Sequence, residues 1–505
     1  MGRTYNSLRN VKTNLIGQLL TNVVRFVCRT VFIQTLGKEY LGISSLYANI
    51  LLLLSVSELG FSTVVTYSLF RPLADGDEGK IASIMHFYKK VYRIIGLIIC
   101  GVGLLLMPFL PVLMNDTTDK VNIYHYYLLY LTQTVVSYFF FAYKQTLFVA
   151  DQKKYMVDSV TYAVKAAVGV LQAIFLLLYP SFLWYTIIGI SSEVVINLII
   201  SAQVDKRYPY LNQKAETLSR DEIKTIFHQV YAMFLYRACN IVGQSTDNLI
   251  ISSHISVLMV GLYDNYAMII AVLQSVLTSV LNAFTGSLGN LYATEGREKN
   301  EKVFRCLNLV NLWFIIFTSV CCLVLFQPFI TLWIGEDYLF NKLVVYIIVM
   351  NYATNNMQGV THIFKQATGL FVIGKYRPVL SVIANLVLSL IMVRSMGIGG
   401  VFLASIISRM SIAWCYDAWV IHRKGFDKSP VGFYLDCFAA ILIITGLSEL
   451  IQWSCNLLTL SASWGGLILR GVICAVIVNL FLLIWYGRRE AFGIVKAKVL
   501  RLPKE

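Results

Sequence analysis

Five polar side chains, Asn14, Gln18, Asn22, Arg25 and Arg29, interrupt an otherwise apolar stretch near the start of this chain, spaced by four, four, three and four residues. In a helix that spacing puts all five on one face. A charge at the centre of a bilayer costs about 2.5 kcal/mol or more on insertion scales, so two arginines there must meet protein, water or a bound anion. Snorkelling to an interface is the plainer alternative, but both arginines lie well inside the segment and away from its inner end. The face therefore predicts a polar cavity able to hold an anion.

A second stretch repeats the theme with Arg237, Asn240, Gln244, Asp247 and Asn248. Arg237 and Asp247 are ten residues apart, too far for a pair one helical turn apart, although pairing with another helix stays open. A third stretch is more polar still. Asn351, Asn355, Gln358, His362 and Lys365 recur at three or four residues, joined by Thr354, Asn356 and Thr361. No lipid-facing helix has such a face. Ser55, Glu58, Ser62 and Thr66 share one face elsewhere, and Lys165, Glu193, Asp264, Arg409 and Arg470 stand singly in other apolar stretches. For Ser and Thr, bonding to the helix's own backbone is the stronger reading. Glu58 and Asp264 suit function or interhelical pairing equally, and a lone His362 is more often a packed polar residue than a ligand or proton relay. The sequence holds no HExxH pair, Walker loop, nucleophile elbow or paired-carboxylate site, so neither an enzyme nor an ATP-driven pump is expected.

Fourteen apolar segments must position these residues: 14–35, 41–70, 94–113, 124–149, 157–178, 182–204, 226–253, 257–293, 303–326, 343–365, 378–393, 398–421, 431–453 and 464–485. About 20 apolar residues of helix span a bilayer core, and nearly all of these reach that length. The lysines and arginines between them crowd into every second gap, and only Lys38, Lys120, Lys342 and Arg394 fall in the others. Such asymmetry orients the basic gaps inward, which predicts both termini in the cytoplasm. The formal charge of +15 is then a topological signal and a rim for anionic lipid, not a sign of nucleic acid. With 57% hydrophobic and 14% charged residues, the chain cannot be a string of soluble domains. The short polar start before the first full-length segment has no cleavage site and does not read as a removable signal. Ten cysteines without a CxxC pair indicate neither a disulfide scaffold nor a metal site. Every gap is short, so the work must be done within the helices.

The two halves repeat. An offset of 219 residues lays Gly42 on Gly261, Tyr47 and Ala48 on Tyr266 and Ala267, Leu54 on Leu273, and Ser68 and Leu69 on Ser287 and Leu288. It places the second segment on the eighth with the same inside-outside sense, as a parallel repeat requires. The expected architecture is an all-α membrane protein with an N-terminal six-helix lobe (1–204), a cytoplasmic connector (205–225) and a second six-helix lobe (226–424). Two extra helices (425–487) and a basic cytoplasmic tail (488–505) follow.

The stretch LGKEYLGISSLYANILLLLSVSELGFSTVVTYSLFRPLADGDEGKI, with FYKKVYRIIG, VGLYDNYAMII and SLGNLYATEG, resembles bacterial polysaccharide transporters of the Wzx flippase type, in the multidrug/oligosaccharidyl-lipid/polysaccharide exporter superfamily. The resemblance implies two lobes around a cavity open alternately to each side, with no cofactor. It implies a cargo of undecaprenyl-diphosphate-linked oligosaccharide crossing the cytoplasmic membrane for capsule, O-antigen or another surface polysaccharide, with a polymerase and chain-length machinery as partners. On this reading Arg25, Arg29 and Arg237 hold the diphosphate, which arginine forks match well. Asn22, Asn240, Gln244, Asn351, Asn355, Gln358 and His362 line the sugar cavity. A proton or sodium gradient would couple through Asp247, Glu58 or Asp264. A lipid II flippase is the nearest rival. A cation-coupled drug exporter comes next, although its cargo favours an acidic cavity.

Overall fold

The computed structural model describes residues 2–55, 61–113, 123–139, 142–212, 216–368, 370, 376–457 and 463–500, and all regular elements among them are helical. In chain order they are α1 (Gly2–Leu54), α2 (Phe61–Asp75), α3 (Glu78–Leu106), α4 (Leu110–Leu113), α5 (Ile123–Phe139), α6 (Gln145–Ala150), α7 (Lys154–Leu178), α8 (Phe182–Arg207) and α9 (Arg220–His254). Then follow α10 (Val257–Thr294), α11 (Arg297–Ile334), α12 (Lys342–Asn356), α13 (Gly359–Thr368), α14 (Arg377–Ser408), α15 (Cys415–Trp419), α16 (Val431–Leu457), α17 (Trp464–Tyr486) and α18 (Glu490–Leu500). Among the described residues every one of the fourteen expected segments is mainly helical, and the protein is a multi-pass membrane protein. Nine helical stretches among the described residues are long and apolar enough to cross a bilayer. Two of these, Ile16–Leu54 and Arg377–Phe426, each hold a pair of segments. The fourth segment is the short α5, the seventh is the polar α9, and the tenth is broken between α12 and α13.

The paired segments are joined through glycine for a backbone reason. Gly37 has φ 84° and Gly397 has φ 56°, conformations that a side chain disfavours. Two helices thereby turn on one residue without a loop.

The repeat extends beyond the residues that first suggested it. The same offset of 219 carries Lys38, the residue after the Gly37 break, onto Val257 at the start of α10. It also carries the start of α3 at Glu78 onto that of α11 at Arg297, and the start of α5 at Ile123 onto that of α12 at Lys342. Helix starts set by local chain geometry thus agree with the matched residues.

By contact the chain divides into two compact units, Met1–Gly261 and Leu262–Glu505, with α9 in the first. In the first unit α1 runs along α7, with Gly17 beneath the ring of Tyr162. The repeat-equivalent glycines Gly42 and Gly261 meet back to back, so that a Cβ on Gly261 would fall 2.8 Å from the Gly42 nitrogen. A Cβ on Gly42 would fall 2.3 Å from the Val257 carbonyl oxygen, a backbone atom that cannot step aside alone. Gly42→Ala is therefore expected to cost about 1–3 kcal/mol by overpacking and to lower the melting temperature of the purified protein. Gly446→Ala, with open space around its Cβ, serves as the control and should melt like the parent.

In the second unit α11 is the central helix, packed by α12, α16 and α17. Its buried side includes Phe304, Leu312, Ile316, Val320 and Ile330.

Candidate functional site

The first half of α1 carries two stripes of opposite character, an exposed apolar one and a largely half-buried polar one. Ile16, Leu19, Leu20, Val23 and Val27 form an apolar stripe, with Leu19 61% and Val23 63% exposed. Asn14, Gln18, Asn22, Arg25 and Arg29 form the polar one. At about 100° per residue the two stripes are centred about 150° apart. The apolar stripe is the one suited to lipid, so the polar stripe faces away from it. Arg25 is exposed on that face, and Asn22 and Arg29 are half-buried.

Arg29 lies within electrostatic reach of the phenols of Tyr130 on α5 and Tyr185 on α8. These belong to an aromatic cluster closing the Gly37 end of the unit: Phe32 to Tyr185 at 4.8 Å between ring centroids, Tyr126 to Phe182 at 4.7 Å and Tyr40 to Phe182 at 5.0 Å. Tyr130 is held by a 2.7 Å hydrogen bond to Ser44. Phenol rings and hydroxyls beside a guanidinium provide stacking faces and hydrogen-bonding groups next to a cation. Lys165 on α7 and Glu193 on α8, single charges in the sequence, form an ion pair at 3.4 Å.

Other expected site residues fall in less defined places. Arg237, Asn240 and Gln244 belong to α9, but their side chains lie outside the described residues, and Glu58 lies outside them altogether. Asp247 on α9 and Asp264 on α10 are half-buried.

The polar face of the tenth segment divides at the helix break. Breaking a helix inside a membrane frees backbone carbonyls, which then need donors from neighbouring helices. Arg409 Nη1 donates to the Asn351 carbonyl at 3.2 Å, to its side-chain oxygen at 2.9 Å and to Thr354 Oγ1 at 3.0 Å. Trp414 Nε1 donates to the Thr354 carbonyl at 3.1 Å, and Asn311 Nδ2 to the Asn356 carbonyl at 3.1 Å. Arg409 and Trp414 both lie in a π-helical stretch, Arg409–Trp414, an arrangement frequent at functional sites. Asn351 is thereby occupied by Arg409, whereas Asn355 is exposed. Gln358, at the break itself, is half-buried with its side-chain nitrogen lacking a partner.

Below the break lies a buried charge cluster. Lys365 of α13 donates to Asp417 Oδ1 of α15 at 2.6 Å, and Arg377 at the start of α14 meets Asp417 Oδ2 at 3.0 Å. His362, one turn before Lys365, is within electrostatic reach of all three. Lys365 reads in the sequence as a charge at the end of a span, and nothing in spacing links it to Asp417 or Arg377. Tyr130 and Tyr185 likewise carry no sequence signal apart from their residue type. Outside the spans, Glu222 at the start of α9 is bonded by Lys80 and by Ser219, which holds its carboxyl below the usual carboxylate range.

Residues 7–284 match the model of a family described as polysaccharide biosynthesis protein. No curated protein matches the chain by sequence. Among solved structures, the chain is similar to the lipid II flippase MurJ in an inward closed conformation, at 13% identity and a TM-score of 0.72, over 94% of this chain and 98% of that one. An inward-facing multidrug resistance MATE family transporter of the MOP superfamily is similar at 14% identity and a TM-score of 0.65, over 83% and 95% of the two chains. A MOP superfamily transporter from Pyrococcus furiosus is similar at 12% identity and a TM-score of 0.56, over 86% and 96%. At such identities the likeness concerns the fold.

Proposed function

This chain belongs to the polysaccharide biosynthesis protein family, and on that basis we propose that it turns an undecaprenyl-diphosphate-linked oligosaccharide from the inner to the outer leaflet of a bacterial cytoplasmic membrane by alternating access. The observation that carries the reading is the arginine-bearing face of α1, turned away from the helix's own lipid-suited stripe. Guanidinium groups on a polar helix face favour a phosphate-bearing cargo over an organic cation. Tyr130 and Tyr185 beside Arg29 suit a sugar that follows the diphosphate.

Both termini face the cytoplasm on this reading, with the basic gaps held by the anionic inner leaflet. An ion gradient drives the return of the empty protein, with Asp247, Glu58 or Asp264 as the carboxylate that takes up and releases the ion. The product feeds a polymerase of the surface-polysaccharide pathway.

Purified protein in proteoliposomes tests this directly. A fluorescent polyprenyl-diphosphate oligosaccharide placed in one leaflet should cross without ATP, at a rate well above that of empty vesicles. Transport of lipid II at the same rate would move the assignment to the peptidoglycan pathway. Transport of organic cations alone would overturn the reading.

A further inference from the structure

Where α11 begins and α17 ends, a cavity of about 700 Å³ opens in the second unit between α11, the turn before α16, and α18. None of the polar faces described above contributes to it. Four basic side chains line it, Lys302, Arg305, Lys428 and Arg489, against three acidic ones, Glu301, Asp436 and Glu490. Glu301 is buried, its side chain 6% exposed, and it is shared by two cations, Arg305 and Lys428. Arg489 pairs with Asp436 at 2.7 Å. One carboxylate between two cations leaves Arg305 and Lys428 with one positive charge in excess at the mouth, where their side chains are 64% and 48% exposed, while Lys302 pairs at 3.3 Å with Glu298, a solvent-exposed partner that it can exchange.

The deeper wall is apolar and aromatic, with Phe304, Leu312, Phe433 and Tyr486. Asn308 also stands on this wall, 4% exposed, and its side-chain oxygen has no hydrogen-bond partner. A buried amide oxygen left unsatisfied costs free energy unless a donor reaches it. The mouth adjoins surface suited to acyl chains: Leu435 lines the cavity while 62% exposed, and Val431 beside it is 55% exposed.

We propose that this cavity binds the headgroup of an anionic glycerophospholipid, with the phosphate on Lys302, Arg305 and Lys428 and a headgroup hydroxyl donating to Asn308. Its size lies in the range of small-molecule sites. Basic pockets between helices at a membrane surface suit anionic headgroups. A cation-rimmed mouth, a buried acceptor and an adjoining apolar surface together fit a lipid bearing both phosphate and hydroxyl better than a soluble anion. The site is independent of the transport reading, because none of its residues belongs to the face of α1.

Dioctanoyl phosphatidylglycerol titrated onto the full chain in neutral detergent tests the site, followed by thermal shift and by native mass spectrometry. Saturable binding is expected, weaker by about tenfold or more for dioctanoyl phosphatidylcholine. The double variant Lys302→Gln, Arg305→Gln should lose about tenfold in affinity, and Asn308→Leu should lose the preference for a hydroxyl-bearing headgroup. Lys302 and Arg305 are exposed and Lys428 stays paired with buried Glu301, so the variant is expected to fold, which the melting curve without lipid verifies. Equal binding of the two lipids, or wild-type affinity in the double variant, overturns the proposal. Binding of glycerol 3-phosphate as tight as that of the lipid overturns the lipid as its source.

Discussion

Arg25→Ala and Arg29→Ala each weaken binding of a short-chain polyprenyl diphosphate to the purified protein by about tenfold to a hundredfold, the equivalent of one lost charge-assisted hydrogen bond. The expectation rests on their shared position on the polar face of α1 and on the neighbours that the fold gives Arg29. Arg29 should show a second effect. Because it sits beside Tyr130 and Tyr185, its loss also disturbs recognition of whatever those phenols contact. Arg→Lys keeps the charge but not the planar fork, so the lysine variants should retain part of the affinity. Arg237→Ala is expected to behave like the other two alanine variants if the repeat-equivalent helix faces the same anion. Isothermal titration with folded variants decides the matter. Unchanged affinity in all of them would remove the arginines from the binding site.

The largest loss of stability is expected from Asp417→Asn. The Asp417 side chain is 4% exposed and serves two cations at once, Lys365 at 7% and Arg377 at 14%. Removing one member of a buried ion pair costs about 3–5 kcal/mol, because the partner stays buried without its counter-charge. Here two cations are left. Asparagine keeps the shape of the side chain, so the loss reads charge and not packing. The melting temperature in detergent should fall by far more than for Glu222→Gln, whose exposed partner Lys80 can turn to water. Equal melting of Asp417→Asn and the parent would mean that water already reaches this cluster.

The distribution of polar residues along the chain foretold much of this arrangement. The face of α1 was legible because helical periodicity alone makes neighbours of residues three and four apart. The gaps at 36–40 and 394–397 were legible too, but not that Gly37 and Gly397, at positive φ, join the helices on either side without a loop. The tenth segment reads as one polar helix, yet it is two, because its carbonyls find donors in Arg409, Trp414 and Asn311, which lie far away in sequence.

By itself, then, the sequence determined the class of the molecule: fourteen helical segments, a basic asymmetry between alternate gaps, and a repeat whose period of 219 residues recurs in the helix starts. These are properties of local composition and spacing, and a bilayer converts them directly into helices. The tertiary structure alone decided which charges have partners. Lys165 with Glu193, Lys365 and Arg377 with Asp417, and Arg409 with Asn351 all join residues from separate helices. Such pairs depend on which faces meet in three dimensions, and in a low-dielectric interior an ion that reads as solitary in the sequence persists because the fold supplies its counterpart.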